Sequence, residues 1–177
     1  MGFIIIGGIV LVVIMVITST QIKKNAALAF EQETVEKEDF YLEKPEGFLY
    51  PLNSDSGFPF EAYSKTFGDK GTRNIWRARI RLKTSEGLNL HKLVNEIKSG
   101  DEMFISEKKF DDVPEGQKGV IIRTEKTEDE ADYKILRKIL QNKNTKITYE
   151  LKTTILEPYG EEFTDKACEM MRSFVVK

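Results

Sequence analysis

Hydrophobic and polar positions divide this chain into an apolar leader and a patterned body. Residues Gly2 to Ile17 are apolar without interruption, and the uncharged stretch continues through Ile22. About 20 such residues suffice to cross a hydrocarbon core of about 30 Å as a helix. The pattern therefore predicts a transmembrane anchor over 1–22. Residues 25–38 lack Gly and Pro and favour helix, so a helical stalk is expected over 23–38 and a soluble domain over 39–177.

Within the body, Phe40-Tyr41-Leu42 reads as a short strand, Pro45-Glu46-Gly47 turns the chain into Phe48-Leu49-Tyr50-Pro51, and a further short strand is expected at Phe60 to Thr66 in a loop-rich zone. The clearest strand is Trp76 to Lys83. Trp76, Ala78, Ile80 and Leu82 alternate with Arg77, Arg79, Arg81 and Lys83, the period-two pattern of a strand with one buried face. Leu90, Leu93, Val94 and Ile97 then follow helical spacing, with Asn89 as N-cap and Ser99-Gly100 as stop. Strands are predicted at Phe104 to Phe110 and Val120 to Lys126, joined by a turn at Asp111 to Gln117.

Residues 132–140 fit two templates. Ile135, Leu136, Ile139 and Leu140 suit a helix face behind a Thr127-x-x-Glu130 capping box, yet Tyr133, Ile135 and Ile139 also alternate with Leu136 and Leu140. Asn142-Lys143-Asn144 turns the chain into a strand from Thr145 to Leu156. Phe163, Ala167, Met170, Met171 and Phe174 then line one face of a terminal helix. Strands joined by short reversals, with helices between and after them, indicate an α+β domain built on an antiparallel sheet flanked by helices, an α/β/α sandwich, preceded by one transmembrane helix.

Composition narrows the function classes. None of the 27 basic or 29 acidic residues precedes Lys23, so a charge-free leader carries a highly charged body. The net charge of −2 lacks the cation excess that a general nucleic-acid binder needs. One cysteine, Cys168, excludes an internal disulfide and a cysteine-rich zinc site. One histidine, His91, leaves His-based triads and multi-histidine metal sites little to work with, and no Walker loop, Rossmann glycine pattern, G-x-S-x-G or H-E-x-x-H occurs. An enzyme here would have to run on carboxylate or lysine chemistry. The acidic run Glu128 to Asp132 lacks the spaced ligands of a calcium loop and reads as a solvated turn. Neither a cofactor nor a catalytic residue is expected.

The leader reads better as an uncleaved single-pass anchor than as a cleaved signal. Ala27-Leu28-Ala29 lies behind Lys23-Lys24, and no basic residue precedes the apolar run. Those two lysines would hold the body on the cytoplasmic side; Glu31, Glu33 and Glu36 follow so soon that the side stays open.

The surface feature with chemical content is the cationic stripe Arg77, Arg79, Arg81, Lys83. Same-face residues of a strand lie roughly 7 Å apart, so the four would span about 20 Å, a ridge able to grip an acidic partner, phosphates or anionic lipid. The plainer reading is a solvated sheet face balanced by acids such as Glu150 or Glu125.

Three stretches resemble the PsbP-like family. Gly47-Phe48-Leu49-Tyr50-Pro51 looks like its opening G-F-x-x-P strand, Leu88 to Ile97 like its helix after an early strand, and Ile147 through Tyr149 to Ser173-Phe174 like its last strand, terminal helix and S-F ending. The resemblance covers 39–177 and favours a hairpin over a helix at 132–156. It implies a non-catalytic module attached to a larger, membrane-associated assembly. The resulting expectation is a membrane-anchored interaction or assembly module, an accessory subunit held to lipid through residues 2–22 and to protein partners through its body. The alternative is a domain binding a ligand or anionic lipid at the membrane surface.

Overall fold

The computed structural model describes residues 2–51, 57–69, 75–110 and 116–177. The expected turn at 111–117 lies outside the described residues except for Gly116 and Gln117, as do parts of the loop-rich zone between 53 and 72.

The leader forms helix α1 (Gly2–Ala29), and its Leu11–Ala29 portion is long and apolar enough to cross a membrane, with none of it buried inside the protein. The stalk expected through residue 38 is shorter. The helix stops at Ala29, and Glu33–Glu36 forms strand β1, paired antiparallel with β2 (Phe40–Lys44). Local propensity is overridden here because Val35 is buried in the core of the body. The Lys44 ammonium also takes the carbonyls of Ala29 (3.4 Å) and Glu31 (2.6 Å) that a continuing helix would need.

A seven-stranded antiparallel sheet dominates the body. Its order is β3-β4-β5-β9-β8-β7-β6: β3 (Phe48–Leu49), β4 (Phe60–Ser64), β5 (Ala78–Glu86), β9 (Ile147–Leu156), β8 (Ala131–Asn142), β7 (Gln117–Glu128) and β6 (Met103–Phe110). Residues 132–140 are strand. The supposed capping box is the β7–β8 turn, in which Asp129 (φ 50°) and Glu130 (φ 62°) take the left-handed conformation of a two-residue hairpin loop.

Helix α3 (Gly160–Ser173) covers one face of this sheet. Phe163, Ala167, Met170 and Met171, with Phe174 at its C-cap, pack onto Ala78, Ile80, Leu82, Leu136, Leu140 and Leu151. A small sheet, β1-β2-β10 (β10, Val175–Val176), closes the same core through Val35, Phe40, Leu42 and Val176. On the opposite face, helix α2 (Leu90–Lys98) packs Leu90 and Val94 onto Val120, Ile122 and Ile139. Its start is fixed by Asn89, whose Oδ1 accepts from the His91 amide at 2.8 Å. The architecture is α+β, with a helix on each face of the large sheet.

Candidate functional site

Alternation along β5 directs Arg79, Arg81 and Lys83 to the α2 face, away from the core. Helix α2 sits over the β7–β8 end of that face. The β4–β5 end leaves the Arg79 and Arg81 side chains 43% and 36% exposed.

The register places Glu61 of β4 directly opposite Arg81. Its Oε1 accepts from Arg79 Nε at 2.7 Å and from Arg81 Nε at 2.9 Å, and the carboxylate is only 4% exposed. One buried acid thus braces two guanidiniums. The acids named from sequence do other work. Glu150 stands opposite Lys83 but accepts from Arg137 at 2.9 Å, and Glu125 lies on the other face of the sheet, opposite Lys134. Arg77 precedes β5 and leaves the stripe: it reaches Asp69 at 3.6 Å, with its guanidinium 4.1 Å from the Tyr159 ring.

Trp76 also departs from the simple alternation. Its half-buried ring stacks on Tyr63 (4.1 Å between centroids) and Phe67 (3.8 Å), pairing with Phe67 in an isolated bridge before β5 begins. Tyr63 stands opposite Arg79, so this aromatic stack belongs to the cationic face rather than to the core.

Trp76, Arg79, Arg81, Tyr133, Lys152 and Thr154 together line a cavity of about 380 Å³. Its back wall is an ion cluster. Arg137, buried on β8, donates to both oxygens of Glu102 (Nη1–Oε2 2.7 Å, Nη2–Oε1 2.6 Å), while Lys152 Nζ stands 3.4 Å from Glu102 Oε1. Burial pushes the Glu102 carboxyl up. Hydrogen bonds from Arg137 and Thr124, with the charges of Arg137 and Lys152, outweigh that and hold it at about 2. Lys152 is lowered, first by burial and then by Arg137, against the opposing pull of Glu102 and Glu150. The arrangement sets guanidiniums and an ammonium beside an aromatic shelf, a combination able to bind an anion.

Sequence reading located Arg79, Arg81 and Lys83 on one face and missed Glu61, Glu102, Arg137, Lys152 and the placement of Trp76. A lone acid at the centre of the short apolar run Phe60 to Tyr63 was the one available signal for Glu61. His91 is exposed at the start of α2 and Cys168 is half-buried on α3. Among the described residues no group of three or more His, Cys, Asp or Glu side chains could hold a metal ion.

No family model matches the chain, and no curated protein matches it. Solved structures do. The cyanobacterial PsbP protein (CyanoP) of Synechocystis sp. PCC 6803 is 13% identical, with a TM-score of 0.55 over 83% of this chain and 92% of that one. LpqN of Mycobacterium tuberculosis, described as involved in cell envelope biogenesis, is 12% identical, with a TM-score of 0.59 over 83% and 91%. A point mutant of the protein Mog1 is 10% identical, with a TM-score of 0.50 over 82% and 96%. At these identities the likeness is one of fold. The chain has a PsbP-like fold.

Proposed function

We propose that this chain is a membrane-tethered, non-catalytic interaction module, an accessory subunit that docks an acidic protein partner of a membrane-associated assembly. The supporting observation is the cationic face itself. Arg79 and Arg81 are braced by one buried carboxylate, half-exposed, and flanked by the Tyr63–Trp76–Phe67 stack and Lys152. Arginine and aromatic side chains held in one geometry lose little freedom on binding, which is why they dominate protein interfaces. Lys83 extends the face, and Arg77 flanks it through its contact with Asp69. The fold supports the reading by analogy, since CyanoP and Mog1 share it.

Tethering rests on α1. Seven residues, 23–29, separate the uncharged run from the end of the helix, which places the body within roughly 10 Å of Lys23 at 1.5 Å per residue. Carbonate extraction tests it: full-length protein staying with the membrane pellet supports a single-pass anchor, and full-length protein washing off contradicts it. Docking is tested by recovering the solubilised full-length protein with its partner over a salt series. Recovery should fall steeply with ionic strength, as contacts between opposite charges do. Salt-independent recovery, or retention on anionic vesicles alone, would replace the acidic protein with another ligand.

A further inference from the structure

A second cavity, of about 510 Å³, lies on the other face of the sheet between the C-terminal half of α3 and strands β6 to β8. Its lining divides by chemistry. Phe110, Ile121, Leu136, Met171 and Cys168 form an apolar floor and wall, and Lys108, Arg123 and Arg172 stand at the exposed rim. Gly119 makes this shape possible. It faces Phe110 across the β6–β7 pair, and a Cβ there would overlap the far end of the Phe110 ring, at its Cζ.

The charge of this cavity is one-sided. Glu107 is its one acid among the described residues, and that carboxylate is engaged by Lys98 of α2 at 2.6 Å, on the opposite face of the sheet. The side chains of Lys108, Arg123 and Arg172 make no hydrogen bond or ion pair with any described residue, in contrast to the braced Arg79 and Arg81. Deeper in, Lys138 is 9% exposed, and its ammonium donates to the carbonyls of Met171 and Phe174, each at 2.7 Å. Two of its three protons are thereby used, and the ammonium otherwise faces the Phe110 and Phe174 rings, 5.3 and 5.8 Å from their centroids.

We propose that this cavity binds a small organic anion with an apolar body, of the medium-chain carboxylate class. The carboxylate meets Lys108, Arg123 and Arg172 at the rim, and the chain lies along Phe110, Ile121, Leu136 and Met171. Volume fits, since small-molecule sites run to ~300–1,000 Å³. Charge complementarity fixes the sign of the head group, and the apolar floor excludes a bare inorganic anion as the preferred occupant. This site is independent of the cationic docking face, because the sheet separates the two.

The test uses the full chain in a neutral detergent, with octanoate as probe and octanamide as its uncharged counterpart. A ligand that binds only the folded state raises the melting temperature by mass action. Octanoate should therefore raise Tm saturably and slow the reaction of Cys168 with N-ethylmaleimide several-fold, whereas octanamide should do neither. The Arg123→Gln/Arg172→Gln variant should keep the ligand-free Tm and lose both responses. Equal effects of octanoate and octanamide, no effect of octanoate, or an undiminished response in the variant would each overturn the proposal. Inorganic phosphate protecting Cys168 as well as octanoate does would show a general anion patch and overturn the apolar part of it.

Discussion

Lys44 donates from a fully buried ammonium to the carbonyl of Glu31 at 2.6 Å, fastening the end of the apolar helix to strand β2. The same ammonium reaches Phe48 O at 3.0 Å and Ala29 O at 3.4 Å, while the Gly47 amide donates to Phe30 O at 2.7 Å. The helix is thus joined to the domain by a cap. Without side-chain help, the carbonyls at a helix C-terminus lack partners, and a buried cation is well placed to satisfy them. Burial lowers the Lys44 ammonium and Glu33 partly restores it.

Lys44→Met should keep the stem's packing and remove the donor. Leaving those carbonyls unsatisfied costs about 1–3 kcal/mol per group, so Tm should fall clearly. Hydrogen exchange should quicken first at the amides of β1 and the turn around Gly47. Unchanged exchange there would mean that the helix and the domain are not coupled through this residue.

The Glu102–Arg137 pair should shape the acid limb of stability. Glu102 titrates near 2 in the folded protein against 4.5 when free, so the pair's contribution is fully present above about pH 4.5 and is lost as pH falls through 2. Glu102→Gln should destabilise at pH 7 and flatten the fall in stability between about pH 4.5 and 2. Arg137 keeps Glu150, so the loss at neutral pH should sit at the low end of the about 3–5 kcal/mol typical of breaking a buried pair. Urea melts of both proteins across that range give the comparison, and parallel curves would contradict the assignment.

Phe174 closes the main core at the end of α3, fully buried and edge-on to Phe40 with ring centroids 6.3 Å apart. Phe174→Ala should cost about 3–5 kcal/mol, read as a drop in urea midpoint with little change in slope. A midpoint within error of the parent protein would mean that the C-terminal segment is peripheral.

Much of the fold was legible because several elements bury one face only. The alternation of β5 and the helical spacing of Phe163 to Met171 mark such elements. Strand β8 was ambiguous for the opposite reason. Ile135 to Leu140 is buried on both faces, under α2 and under α3, which erases the period-two signal. The stalk was overestimated because Lys44 and the burial of Val35 are tertiary effects. Of the site, the direction of Arg79, Arg81 and Lys83 was readable from alternation alone. Glu61 was not, because its pairing depends on a cross-strand register that joins residues 20 apart.

That buried acid changes how the docking face has to be tested. Removing Arg79 and Arg81 alone takes two guanidinium contacts from the buried Glu61 carboxylate, and the resulting instability would mimic a loss of binding. The direct measurement is partner recovery by the full-length triple variant Glu61→Gln/Arg79→Gln/Arg81→Gln, with Tm recorded on the same preparation. Tm should stay close to the parent value, while the acidic partner recovered at low salt is lost at least tenfold and the residual binding shows a flatter salt dependence. Recovery equal to the parent protein at every salt concentration, from a variant that is equally stable, would contradict it.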